Sequence, residues 1–242
     1  MKKYVLVTAS TKGLGFEIAK SLSFAGYNII LTSRNKENLV HAYKSLNQDL
    51  EHKMIEIDFS KDNIKEKLIK EIADLPLHSI VHNFGLKLQN DKHPIDTDIL
   101  NQSIYNNFTI SIEINNLLAK QFISDSSTII HIGSTASLHA KASPSYTLSK
   151  SLINTYVKNI SYEYINQNIM ICAVLPGILG HEDSEWDKKK SIDKKRYEEV
   201  QKKQPLKRFA LPTDISGYIV DLIQQKSLML SGSVLKLDAN EY

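Results

Sequence analysis

Tyr146 and Lys150 stand four residues apart in Ser145-Tyr-Thr-Leu-Ser-Lys150. On a helix this spacing puts both side chains on one face, about a turn apart. A lysine ammonium beside a tyrosine hydroxyl favours the phenolate, because a nearby opposite charge stabilises the ionised form. Tyrosine ordinarily titrates near ~10, so the pair predicts a phenol drawn toward working pH as a proton donor. The same spacing also fits a solvated helix face, and its meaning depends on the residues that accompany it.

Those are found near the N-terminus. Thr8-Ala-Ser-Thr-Lys-Gly-Leu-Gly15 follows the apolar run Tyr4-Val-Leu-Val7. A short strand, a tight glycine turn and a helix starting near Gly13 make a phosphate-binding βα unit. In such a unit the glycines let backbone N–H groups approach a pyrophosphate at the positive end of the helix. Phe16, Ile18, Ala19, Leu22 and Phe24 continue a helical pattern that stops at Gly26. A glycine pair alone also fits a plain turn; its place between a strand and an amphipathic helix is what gives it weight.

The elements that must position these groups alternate along the chain. Strands are expected at 28–32, 53–57, 79–82, 128–132, 169–175 and 233–237, after the first at 4–7. Helices are expected at 35–47, 61–73, 98–121, 145–166 and 212–225, after the one following Gly13. Such alternation predicts an α/β fold: a single doubly wound, Rossmann-type domain with a parallel seven-stranded sheet and helices on both faces. The 242 residues, 42% of them apolar and without a Pro-, Gly- or Ser-rich linker, suit one domain over 1–242. Residues Glu182 to Lys203 are dense in Lys, Asp and Glu around Trp186 and Tyr197. They read either as a solvated helix or as a flap, at about 178–210, beyond the carboxyl end of a strand, where open α/β sheets bind ligands.

Composition narrows the classes. A net charge of +3 does not suggest nucleic-acid binding. The single cysteine, Cys172, excludes an intrachain disulfide and a multi-cysteine metal site, and within Ile169-Met-Ile-Cys-Ala-Val-Leu175 it reads as a core thiol. The N-terminus runs directly into the first strand, and no apolar run approaches the ~18 residues of a membrane span. A cytoplasmic protein without membrane contact is the expectation.

With the glycine turn and the Tyr/Lys pair in place, the chain resembles the short-chain dehydrogenase/reductase family over nearly its whole length. Further marks fall in the family's order. Asp58, followed by Phe59 after the third strand, matches the aspartate that contacts adenine. His82-Asn-Phe-Gly85 matches the Asn-Asn-Ala-Gly after the fourth strand. Asn107 matches the catalytic asparagine, Ser134 the catalytic serine, and Pro176-Gly177 the turn at the nicotinamide. The resemblance implies that Tyr146 protonates a carbonyl oxygen while Lys150 lowers its pKa and holds the nicotinamide ribose. Ser134 would stabilise charge on that oxygen, and Asn107 would position Lys150 through a water. Cofactor contacts would come from Ser10, Thr11, Lys12, Gly13, Leu14 and Gly15 of the turn, and from Ser33, Arg34, Asp58 and Phe59. Asn83, Phe84 and Gly85, then Tyr146, Lys150, Pro176, Gly177 and Ile178, complete the set.

Charge argues for NADP(H). NAD sites usually carry an acidic residue at the end of the second strand; here Thr32-Ser33-Arg34 stands there, with Lys12 in the turn. Two cations and no carboxylate suit a 2′-phosphate. The expected reaction is reduction of a ketone; the chain resembles the 3-oxoacyl-(acyl carrier protein) reductase branch of the family, which implies a 3-oxoacyl thioester as the leading substrate, with a sugar or polyketide-like ketone close behind. The resemblance also implies a homotetramer or homodimer. A catalytically idle cofactor-binding sensor or scaffold is the alternative.

Some positions depart from the family pattern. Ala9 replaces the loop's first glycine, which alanine can do only at a φ below zero. Phe84 adds bulk expected near the nicotinamide ribose. Ser134 lies 12 residues before Tyr146, one fewer than usual, so Thr135 and Ser137 stay open as alternatives. His181 stands where a threonine commonly bonds the nicotinamide amide, and could replace that contact. Its neighbours Glu182 and Asp183 also suggest a metal site, though adjacent residues point in different directions. His82 and His131, on strands, read as core or edge residues and not as ligands.

Overall fold

Strands buried on both faces need continuous apolar runs, and the chain supplies them. All four residues of β1 (Tyr4–Val7) are buried, as are all eight of Ile169–Pro176. The computed structural model describes residues 2–61, 63–72, 74–122, 126–182 and 184–241. After β1 come α1 (Gly13–Phe24), β2 (Asn28–Ser33), α2 (Lys36–Lys44), β3 (Lys53–Glu56), α3 (Ile64–Ile72) and β4 (Leu77–His82). The expected end of the third helix, Ala73, lies outside the described residues. Then follow α4 (Thr97–Ile104), α5 (Ile110–Leu118), β5 (Ser127–Ile132), α6 (Ala136–His139), α7 (Pro144–Ile165) and β6 (Ile169–Pro176). The chain closes with α8 (Glu185–Ile192), α9 (Lys194–Lys203), α10 (Pro212–Gln225) and β7 (Val234–Leu237).

The seven strands form one parallel sheet in the order β3-β2-β1-β4-β5-β6-β7. The direction of winding reverses between β1 and β4, and a crevice opens there at the carboxyl ends. Alternate strand residues face opposite layers. Val5, Val7, Ile29, Leu31 and Cys172 pack with α1, α2 and α10 through Ile18, Leu39 and Ile219. On the other face Leu6, Ile30 and Ile80 pack on α3 and α5, and Ile129 and Ile171 pack on α7. Cys172 is fully buried, and burial pushes its thiol up to about 12, as befits a core residue.

Two segments differ from the expected pattern. The helix expected over 98–121 is interrupted by a π-helical segment, Tyr105–Thr109, in which Ile110 N–H reaches back to Tyr105 O. Within it the Asn107 side chain donates to Ser103 O at 3.0 Å, the carbonyl four residues back with which an α-helical ladder would pair the Asn107 N–H. The charged stretch after β6, read as a solvated helix or a flap, is helical in two pieces. It forms α8 and α9, capped by Ser184 (accepting from Asp187 N) and Asp193 (accepting from Arg196 N). Phe209 ties both down, its ring 5.0 Å from Trp186 and 5.2 Å from Tyr197.

Candidate active site

The turn after β1 is pinned from two sides. Ala9 N donates to Thr32 Oγ1 at 2.9 Å, and Asn83 Nδ2 donates to Ala9 O at 3.1 Å. Thr8 Oγ1 accepts from both Asn83 N (2.8 Å) and Phe84 N (2.9 Å). Held this way, Ala9 has φ +53. The expectation of a negative φ is overturned: these bonds impose the left-handed conformation that glycine adopts freely. Gly15 must lack a side chain, since a Cβ there would lie 2.3 Å from Ala9 O. Ser10 is fully buried and its hydroxyl accepts from Thr32 N at 2.9 Å, so its side chain serves the turn and not the groove.

Beside the turn, Thr11, Lys12, Ser33, Arg34, Asp58, Phe59 and Phe84 line a cavity of about 350 Å³. Thr11 Oγ1 donates to Ser33 Oγ at 3.2 Å. The Asp58 carboxyl is held below the usual carboxylate range, first by the Ser60 hydroxyl at 2.6 Å, with Lys61 and Arg34 adding to the effect. The Phe84 ring tilts onto Phe59 at 5.2 Å, within this cavity. A fixed anion, two aromatic rings and the cations Lys12 and Arg34 fit the adenosine end of a dinucleotide. The glycine turn next to them fits a diphosphate.

The second half of the site comes from β5, α7 and the π segment. Lys150 is buried, and its Nζ donates to Ile132 O at 2.8 Å. Burial draws its pKa down to about 8. Its Nζ stands 5.9 Å from the centre of the Tyr146 ring. The Tyr146 hydroxyl is surrounded by protein although part of the side chain reaches the surface. Burial raises its pKa above 10, opposed by a hydrogen bond with Ser134 and reinforced by Glu185. The expected lowering by Lys150 is thus not what this structure displays; desolvation dominates. Among the hydroxyls left open by the sequence, Ser134 is the one bonded to Tyr146. Ser137 Oγ instead donates to Ser134 O (2.7 Å), and Thr135 is buried.

Asn107 bridges to the loop after β4. Its Oδ1 accepts from Leu86 N (3.0 Å) and its Nδ2 donates to Leu86 O (2.9 Å). Gly85 lies between the two halves: a Cβ on it would fall 2.8 Å from Asn107 Oδ1 and 3.3 Å from Lys150 Nζ. Two residues without a motif also belong here. Asp91 accepts from Ser145 N and Tyr146 N, both at 3.0 Å, and so fixes the start of α7. Glu185 of α8 pairs with Lys87 at 2.8 Å across the mouth of the site. Nothing in the sequence around Asp91 or Glu185 signals these contacts.

Past β6, Gly177 is packed against Asp238 and Glu241, and Ile178 N donates to Glu241 Oε2 at 2.7 Å. Ile178, named among the cofactor contacts, thus has its N–H engaged by Glu241 of the chain's own C-terminal segment. His181 lies not at this end but against Gly13. Asp183, named with it as a metal possibility, lies outside the described residues. His82 and His131 are core residues: the rings stack at 4.5 Å, and His82 Nε2 donates to Asn115 Oδ1 at 2.6 Å.

A family model described as enoyl-(acyl carrier protein) reductase, of the short-chain dehydrogenase/reductase type, matches residues 8–239. The chain belongs to the short-chain dehydrogenase/reductase family. It is an oxidoreductase of that family. L-xylulose reductase of Caenorhabditis elegans is 29% identical, over 98% of this chain and 94% of the relative. Very-long-chain 3-oxoacyl-CoA reductase of Rattus norvegicus is 24% identical, over 91% of this chain and 73% of the relative. In fold, the chain matches L-sorbose reductase of Gluconobacter frateurii, solved with NADPH and L-sorbose, at TM-score 0.88 and 20% identity. That match covers 98% of this chain and 95% of the other. The family's fold accounts for the position of the crevice: the glycine turn, Asn107, Ser134, Tyr146 and Lys150 all stand along the carboxyl ends of β1, β4 and β5. Among the described residues, no helix is long and apolar enough to cross a membrane.

Proposed function

We propose that this protein is an NADP(H)-dependent reductase that converts a ketone to a secondary alcohol. The observation that carries the reading is the buried Tyr146 hydroxyl, hydrogen-bonded to Ser134 and backed by the Lys150 ammonium. When bound, the cofactor would supply a hydride to the carbonyl carbon. Tyr146, kept protonated by its burial, gives its proton to the carbonyl oxygen, and Ser134 donates a hydrogen bond to the same oxygen. Lys150, titrating at about 8, is charged at neutral pH and stabilises the phenolate that is left behind. Asn107 and Ile132 O hold Lys150 and the Leu86 loop in register.

Lys12 and Arg34 support the 2′-phosphate form of the cofactor. Two relatives act on a ketose and on 3-oxoacyl thioesters by name, and both ketone classes belong in the first substrate panel. An exposed row on α7, with Leu148, Leu152 and Tyr162, supports a homo-oligomer, and a cytoplasmic location goes with the reading. Tyr146→Phe should lose turnover at least a hundredfold while NADPH fluorescence on binding persists. Turnover undiminished in that variant would overturn the proposed role of Tyr146. NADPH binding without turnover of any ketone would leave an idle cofactor-binding protein.

A further inference from the structure

The segment leaving β6 runs back across the crevice. Ile178 O accepts from Ala210 N at 3.0 Å and Gly180 N donates to Ala210 O at 2.8 Å, which fixes its course. The next residue, His181, has its ring on the glycine turn. A Cβ built on Gly13 would come within 2.7 Å of His181 Cε1 and 2.8 Å of Nε2. Gly13 opens α1, and Lys12 before it provides no side-chain cap. The N–H groups of an opening helical turn have no intrahelical acceptors and carry the positive end of the dipole. In the cofactor reading above, this is where the diphosphate sits, and His181 approaches the same point from the opposite wall.

The orientation of the ring is fixed by its other nitrogen. Nδ1 lies 2.7 Å from Glu182 O. A carbonyl only accepts, so Nδ1 carries a proton and Nε2 is the nitrogen turned to the turn. Protonated, Nε2 is a charge-assisted donor, the kind of group that phosphate oxygens bind. Lys12 and His181 both line the cavity of about 620 Å³ that runs along this side of the turn.

We infer that His181 is a diphosphate-binding residue of this chain, closing on the dinucleotide opposite the N-terminus of α1. The inference rests on the dinucleotide reading and deepens it. It separates His181 from the nicotinamide-amide contact its sequence position suggested, because the contact with Gly13 places it elsewhere.

The test compares three ligands by calorimetry on the full chain: NADPH, ADP-ribose (diphosphate but no 2′-phosphate) and adenosine 2′-monophosphate (no diphosphate). His181→Ala should weaken NADPH and ADP-ribose about tenfold, the size of one lost charge-assisted hydrogen bond at a partly exposed site. It should leave adenosine 2′-monophosphate unchanged. His181→Gln, which keeps a donor, should recover part of the loss. Arg34→Ala should do the reverse, weakening the monophosphate and NADPH but sparing ADP-ribose. Unchanged NADPH and ADP-ribose affinity in His181→Ala overturns the inference. So does an equal loss for all three ligands, which would mark a disturbed loop. If the unaltered protein binds neither NADPH nor ADP-ribose, the cofactor reading falls first and this inference with it.

Discussion

Between pH 8 and pH 5 this protein should lose stability through one buried imidazole. His82 ends β4, is almost fully buried, donates through Nε2 to Asn115 and stacks on His131. Burial holds its pKa at about 4, against an ordinary 6.5. Between those values the unfolded chain binds a proton that the folded chain refuses. Stability therefore rises with pH in this window: the contribution is complete above pH 6.5 and is lost as pH falls toward 4. At ~1.36 kcal/mol per pH unit the gap amounts to about 3 kcal/mol, of which about 2 kcal/mol is lost between pH 8 and pH 5. His82→Asn removes the titration while leaving an amide that can still bond Asn115. Urea unfolding of both proteins at pH 8, 6.5 and 5 measures the effect. The parent should lose about 2 kcal/mol more than the variant on going to pH 5. His131, also held well below its ordinary value by burial, keeps some slope in the variant, and replacing both flattens it further. Parallel pH profiles for parent and His82→Asn would refute the reasoning, since they would mean that His82 titrates alike in both states.

Two other perturbations follow from the same geometry. Ala9→Gly relieves an alanine at φ +53 and should stabilise the fold by about 1 kcal/mol, raising Tm by about 2–4 °C; a lower Tm in a thermal melt would contradict this. Asp91→Ala removes the acceptor of Ser145 N and Tyr146 N and should cost about 1–2 kcal/mol of stability. It should also cut kcat more than KM, because Tyr146 loses its anchor; unchanged kcat at full occupancy would rule that out.

The parts of this fold that could be read from sequence are those encoded locally. Apolar runs gave the strands, and the 3.6-residue pattern after Gly13 gave α1 to within a residue. Tyr146 and Lys150 could be paired because a helix makes spacing into geometry. The groups that were missed are joined across the chain. Asp91 caps a helix that starts more than fifty residues later, Glu241 reaches Ile178, and Glu185 reaches Lys87; no periodicity connects such pairs. Ala9 was misjudged for a related reason. Its own preference is for negative φ, and only Thr32 and Asn83, distant in sequence, override it. The Tyr146 pKa went the other way because spacing reveals a neighbouring charge but not how much water is excluded.

The π segment at Tyr105–Thr109 has a consequence for how the chain can change in length. One extra residue in a helical turn offsets everything beyond it by about 100° of rotation. The helix therefore presents one stripe to α7 before the offset and another to the sheet after it, where Ile110, Ile114 and Leu118 are buried. Deleting a single residue from the regular turns of α4, with the π segment kept, would turn those three side chains about 100° off the sheet relative to the stripe on α7. Lengthening or trimming the surface loops carries no such penalty. Along this helix, residue count is itself under constraint, independent of which residues are used.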